Sequence, residues 1–161
     1  MKICALTCRS VGSGLAAVGL LAATLLLGGC STTSLESESM PGVNLSALRT
    51  FYVRKLPQDG RGVERLISDR LTAMGKISSY GPSPTPPQPV DAVVTYQDRW
   101  IWDFTMYMLE LNIQIRDPSN DVQLASGHSL RTSLARKSPE EMVSDVLNRI
   151  FSVTVKPAKE Q

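Results

Sequence analysis

Alternation of apolar and polar side chains is cleanest over residues 105–117, TMYMLELNIQIRD. There Tyr107, Leu109, Leu111, Ile113 and Ile115 face one way, and Met108, Glu110, Asn112, Gln114 and Arg116 the other. Period two over this length predicts an antiparallel strand with one buried face. Residues 91–103, DAVVTYQDRWIWD, put Ala92, Val94, Tyr96, Trp100 and Trp102 on one parity, as a strand entering from the core. Asp117-Pro118-Ser119-Asn120 has turn chemistry. Residues 121–133 then return as the third strand of a meander, with Gly127 placed as a bulge.

Upstream, RTFYVRKLP (49–57) is rich in β-branched and aromatic residues and stops at Pro57, which predicts a first strand. QDGRG follows as a turn in which Asp59 caps a helix. Val63, Leu66, Ile67, Leu71 and Met74 form one face of that helix, and Gly75 closes it. KISSY (76–80) reads as a short further strand. GPSPTPPQP (81–89) reads as a rigid surface connection, because its five prolines remove donors and fix φ. A last helix is signalled by Ser138 as N-cap, Pro139 at N1 and Glu141 at N3, an S-x-x-E capping box. Its apolar stripe is Met142, Val143, Val146, Leu147, Ile150 and Phe151. The predicted fold is α+β: an antiparallel four-stranded sheet with two helices on one face, in the order β-α-β-β-β-α.

The N-terminus has a different pattern. Lys2 and Arg9 are the only charged residues among the first 30, and Val11 to Leu27 is apolar or small throughout, the layout of a secretory signal. Its exit, Leu27-Gly28-Gly29-Cys30, resembles the bacterial lipobox. That resemblance implies diacylglycerol on the Cys30 thiol, cleavage before Cys30, and acylation of the new amine by a palmitate-class chain. One acyl chain binds a membrane only marginally at about 0.8 kcal/mol per buried CH₂, whereas two or three hold it durably. Ser31, standing where an Asp would mark inner-membrane retention, resembles an outer-membrane address. The expected organisation is a signal peptide at 1–29, a lipidated cysteine and flexible tether at 30–44, one periplasmic α+β domain at 45–155 and a disordered tail at 156–161. The expected location is the outer membrane, lipid-anchored and facing the periplasm.

Charge and cysteine usage agree with this layout. The chain has 17 basic and 15 acidic residues, and removal of Lys2 and Arg9 brings the two into balance. A mixed-sign surface of that kind gives no case for a nucleic-acid partner. Cys4 and Cys8 fall in the signal and Cys30 is the acylation site, which leaves no free thiol and no disulfide in the mature chain.

Catalytic chemistry is sparse. His128 is the single histidine, too few for a His-rich zinc site, and G-x-S-x-G is absent. The expectation is a protein without cofactor, metal or enzymatic activity. One alternative is a periplasmic hydrolase using His128 with a nearby serine. Another is a carrier of lipid or lipopolysaccharide, which requires a deep apolar groove between sheet and helices. The strongest surface candidate is RWIWDF, where Arg99, Trp100, Trp102 and Phe104 combine the residue types favoured at binding hot spots. The competing reading packs Trp100 and Trp102 under the helices. The basic run Arg131, Arg136 and Lys137 suits lipopolysaccharide phosphates or peptidoglycan carboxylates, or is a solvated connection.

The segment VDAVVTYQDRW…MYMLELNIQIRDPSNDVQLASG resembles the core of small outer-membrane lipoproteins classed only as domains of unknown function. More loosely it is similar to lipoprotein activators of penicillin-binding proteins and to the curli-secretion lipoprotein. The likeness spans about residues 49–151 and is one of layout, so no functional residue is transferred. It implies a binding or accessory role in an envelope assembly. The membrane would be reached through lipid on Cys30. The partner would be another envelope protein, or peptidoglycan or lipopolysaccharide.

Overall fold

The computed structural model describes residues 33–152; the signal peptide, Cys30 and the tail at 156–161 lie outside them. Six strands, β1 (Ser34–Ser39), β2 (Thr50–Arg54), β3 (Ile77–Gly81), β4 (Ala92–Asp103), β5 (Thr105–Arg116) and β6 (Gln123–Leu130), form one mixed sheet in the order β1-β6-β5-β4-β2-β3. Helices α1 (Val63–Ala73) and α2 (Pro139–Ser152) pack against each other and share one buried cluster with the sheet. No helix among the described residues is long and apolar enough to cross a membrane.

The expected antiparallel four-stranded sheet is overturned at both of its margins. β2 pairs in parallel with β3 on one side and with β4 on the other. The reason is the helix between β2 and β3: a helical crossover returns the chain to the same end of the sheet, so the strands it joins run parallel. The proline segment then carries the chain from edge strand β3 past β2 to β4. Along the way the Ser83 carbonyl accepts a hydrogen bond from the Tyr52 hydroxyl at 3.1 Å. Asp91 fixes the start of β4 to β2, its carboxylate accepting the amides of Arg49 and Thr50 at 2.8 and 2.9 Å.

The second correction is at the other edge. Ser34–Ser39, read from its composition as tether, is strand β1, paired antiparallel to β6 from Ser34↔Leu130 to Ser39↔Ala125. Leu35 packs against the core, and the Ser37 hydroxyl bonds the Arg149 carbonyl of α2 at 3.3 Å.

Capping follows local chemistry. Ser138 and Glu141 form the reciprocal box at α2, with Glu141 N to Ser138 Oγ at 3.2 Å and Ser138 N to Glu141 Oε2 at 2.9 Å. At α1 the residue preceding the helix is Gly62, in the left-handed region at φ 74°, and not Asp59. Asp59 nevertheless satisfies that helix start from a distance. Its carboxylate accepts the amides of Arg61, Gly62 and Val63 at 2.7, 3.0 and 2.9 Å. The Tyr96 hydroxyl of β4 donates to Asp59 Oδ2 at 2.6 Å, tying the helix start to the centre of the sheet.

Gly127 is not a bulge. It sits in regular register between Ile113 and Ser37. A β-carbon there would lie 2.8 Å from Cγ1 of both Ile150 and Val146, so glycine is what lets α2 cross β6. The register shifts fall at Arg99/Trp100 in the β4–β5 pair and at Ile115/Arg116 in the β5–β6 pair.

Candidate interaction surface

β4 and β5 are each 12 residues long, longer than any other strand, so their hairpin runs past the end of the sheet. The last row shared by four strands is Ser34–Leu130–Glu110–Arg99. Beyond it only β4 and β5 continue, through Trp100↔Met108, Ile101↔Tyr107, Trp102↔Met106 and Asp103↔Thr105. Between the Arg99↔Glu110 and Trp100↔Met108 pairs, Leu109 is the extra residue of a β-bulge. The bulge turns Met108 onto the helix side, where it is fully buried. The sequence pattern had put Met108 on the polar parity with Glu110, and a bulge is what resets such a parity.

The predicted site residues separate along this hairpin. Arg99 lies on the open face of the sheet, its guanidinium 2.7 Å from Glu110 Oε2. Trp100 is half-buried against the core, with Arg61 stacked 4.3 Å from its ring centroid and its indole N–H donated to the Asp98 carboxylate. Trp102 shares its parity but stands beyond the helices and is 69% exposed. Phe104 forms the turn itself, with φ 57° and 93% exposure. A positive φ is unusual for a bulky residue. The sequence grouped Arg99, Trp100, Trp102 and Phe104 together, but only the last two share the exposed tip.

Three further apolar side chains complete the tip. Ile101 and Met106 are exposed on its two sides, and Leu134, in the turn that follows β6, is 91% exposed. Arg136 fastens that turn to the hairpin. Its guanidinium donates to the Asp103 carbonyl at 2.8 Å, the Asp103 carboxylate at 3.0 Å and Thr105 Oγ1 at 2.8 Å, and it covers the Tyr107 ring at 4.3 Å. Arg131 and Lys137 both reach Asp145 of α2, at 3.0 and 2.6 Å. The basic run is thus spent on internal ion pairs.

His128 lies on the open face, its Nε2 2.9 Å from Glu110 Oε1. This bond, with the Arg99 guanidinium beside it, holds the Glu110 carboxyl below the usual range. Ser129 is the next residue on β6 and therefore points to the opposite face, where it is fully buried under the helices. His128 and Ser129 are on opposite sides of the sheet. Among the described residues no group of three His, Cys, Asp or Glu side chains converges as a metal site.

Open clefts flank Arg61 at the start of α1. One, of about 800 Å³, is lined by Leu56, Gln58, Asp59, Gln97 and Trp100. The other, of about 590 Å³, runs along Lys55, Glu64 and Tyr80 to Pro139. Both are polar margins, and the space between sheet and helices is filled by the core.

No protein-family model and no curated protein matches the sequence. Solved structures do. A PelC dodecamer from Paraburkholderia phytofirmans aligns at a TM-score of 0.51 and 15% identity, over 75% of this chain and 95% of that one. The likeness is one of fold. TolB from Acinetobacter baumannii aligns at 0.42 and 16% identity, over 78% of this chain and 32% of its own. A minor lipoprotein from the same organism aligns at 0.30 and 19% identity, over 63% and 80%.

Proposed function

We propose that this protein is a lipid-anchored, non-catalytic accessory component of a bacterial envelope assembly, held at the outer membrane through Cys30 with its folded domain in the periplasm. The observation that carries the reading is the concentration of Ile101, Trp102, Phe104, Met106 and Leu134 at one end of the fold, where Trp102, Phe104 and Leu134 are the most exposed. Clustered exposed apolar side chains mark contact with another envelope component, and the lipobox supplies the membrane anchor.

Two measurements test the reading. Cys30→Ala is expected to leave an unprocessed chain that no longer reaches outer-membrane fractions; persistence there sinks the anchoring claim. In-cell photocrosslinking from position 102, with position 116 as control, is expected to give an adduct at 102 alone. Silence at both positions overturns the contact surface.

A self-assembled form is the second reading. The PelC neighbour is a dodecamer, and among the described residues β1 and β3 each end the sheet with an unpaired edge. Such edges are templates for pairing with another chain.

A further inference from the structure

We propose that the β4–β5 hairpin tip is a second membrane contact, dipping Trp102 and Phe104 into the bilayer that carries the Cys30 lipids. This rests on the anchoring reading and names the component that the tip touches.

Chain length and register carry the argument. β1 begins at Ser34, in the Ser34–Leu130–Glu110–Arg99 row beyond which the hairpin projects. Cys30 is four residues before Ser34, and at about 3.3–3.6 Å per residue it lies no more than about 14 Å from the strand end. Phe104 lies five residues past Arg99, which at about 3.3 Å per residue puts the tip about 16 Å beyond the same row. Because β1 is stitched to β6, a membrane that holds Cys30 is drawn to this end of the sheet. The two reaches are equal within a residue.

The chemistry of the tip suits lipid better than a protein. Trp102 and Met106 point to the helix side of the hairpin and Phe104 to neither, while Ile101 shares the open side with Thr105 and the Asp103–Arg136 pair, so the apolar surface is the apex and the helix side. The acid at the tip, Asp103, is neutralised by Arg136 at 3.0 Å. The β4–β5 ladder runs down to Asp103↔Thr105, and the outward backbone groups of its two edges confine the tip to a shallow, headgroup-level insertion where water still reaches them. Aromatic rings are the side chains that settle at headgroup level, and a shallow insertion of about 5–10 Å is what such a tip can reach. Leu134, fixed to the hairpin through Arg136, enters beside it.

The test uses the full lipoprotein, purified from membranes and reconstituted into phosphatidylethanolamine–phosphatidylglycerol vesicles. A fraction of the lipid carries bromine on its acyl chains near the headgroup or near the chain end. With two tryptophans in the chain, Trp100→Phe leaves Trp102 as the sole reporter, and Trp102→Phe leaves Trp100. Trp102 emission is expected to shift to shorter wavelength on reconstitution and to lose intensity with the headgroup-proximal bromine, while Trp100 is unaffected. Long-wavelength, unquenched Trp102 emission overturns the inference. A shift without quenching by either bromolipid also overturns it and indicates a protein or a second copy at the tip. The mass of the Cys30 peptide from the same preparation separates the two claims. A lipid adduct with unquenched Trp102 leaves the anchor standing and removes the hairpin contact, whereas an unmodified Cys30 removes both.

Discussion

Asp59→Ala is expected to lower folding stability by about 2–4 kcal/mol, because it orphans several buried donors at once. The Asp59 carboxylate is the acceptor for three amides at the start of α1 and for the Tyr96 hydroxyl, and it is itself buried. Burial alone would raise its pKa. The Tyr96 hydroxyl and the amides of Arg61 and Val63 outweigh that and hold the carboxyl at about 2, against 3.8 for a free side chain. Burial, and the charge of Asp59, push the Tyr96 phenol in the opposite direction, so it stays a donor. The unfolded chain therefore takes up the proton first as pH falls. The stabilisation, about 2 kcal/mol, is fully present above pH 3.8 and is lost between there and pH 2. Urea unfolding of the wild type should show that loss across this window, and Asp59→Asn should flatten it while keeping much of the geometry. An Asp59→Ala midpoint equal to wild type would show that the start of α1 does not depend on this carboxylate.

Gly127→Ala is expected to destabilise by about 1–3 kcal/mol, the usual cost of overpacking a filled core. Restricting the unfolded chain by a methyl group works the other way, by about 0.4–1 kcal/mol. The clash is the larger effect because the new carbon would be 2.8 Å from Cγ1 of both Val146 and Ile150, atoms close to the α2 backbone. α2 would have to lift from β6. Gly60→Ala meets no atom within 4 Å and serves as the neutral control. Thermal unfolding checks the pair, with Val146→Ala, which removes one of the two clashing carbons, expected to cost less in the Gly127→Ala background than alone. An unchanged midpoint for Gly127→Ala alone would mean that α2 is free to shift, and that the crossing is looser than the structure has it.

The elements legible in the sequence are those set by local chemistry: the capping box at Ser138, the helix stripe ending at Gly75, and the alternating β5. Strand direction was not, because it depends on what connects two strands, and the helix between β2 and β3 makes them parallel whatever their own pattern. β1 escaped because SLESES has almost nothing to bury; its pairing with β6 is made by the backbone, with Leu35 its one apolar contribution. Trp100 and Trp102 share a parity, and what separates them is where the helices stop, a fact of the third dimension. Asp59 was read as a cap, but its bond to Tyr96, 37 residues along the chain, has no local signature.

β1 is the first described strand to be synthesised and among the last able to pair, since its partner β6 is the final strand of the chain. Until β6 has been made, the strand it pairs with in the folded protein does not exist. A strand in that position must resist premature association with other exposed edges, and interleaved serine and glutamate give it that resistance at little cost once β6 arrives. Its tether-like composition is thus a property of the nascent chain as much as of the finished one.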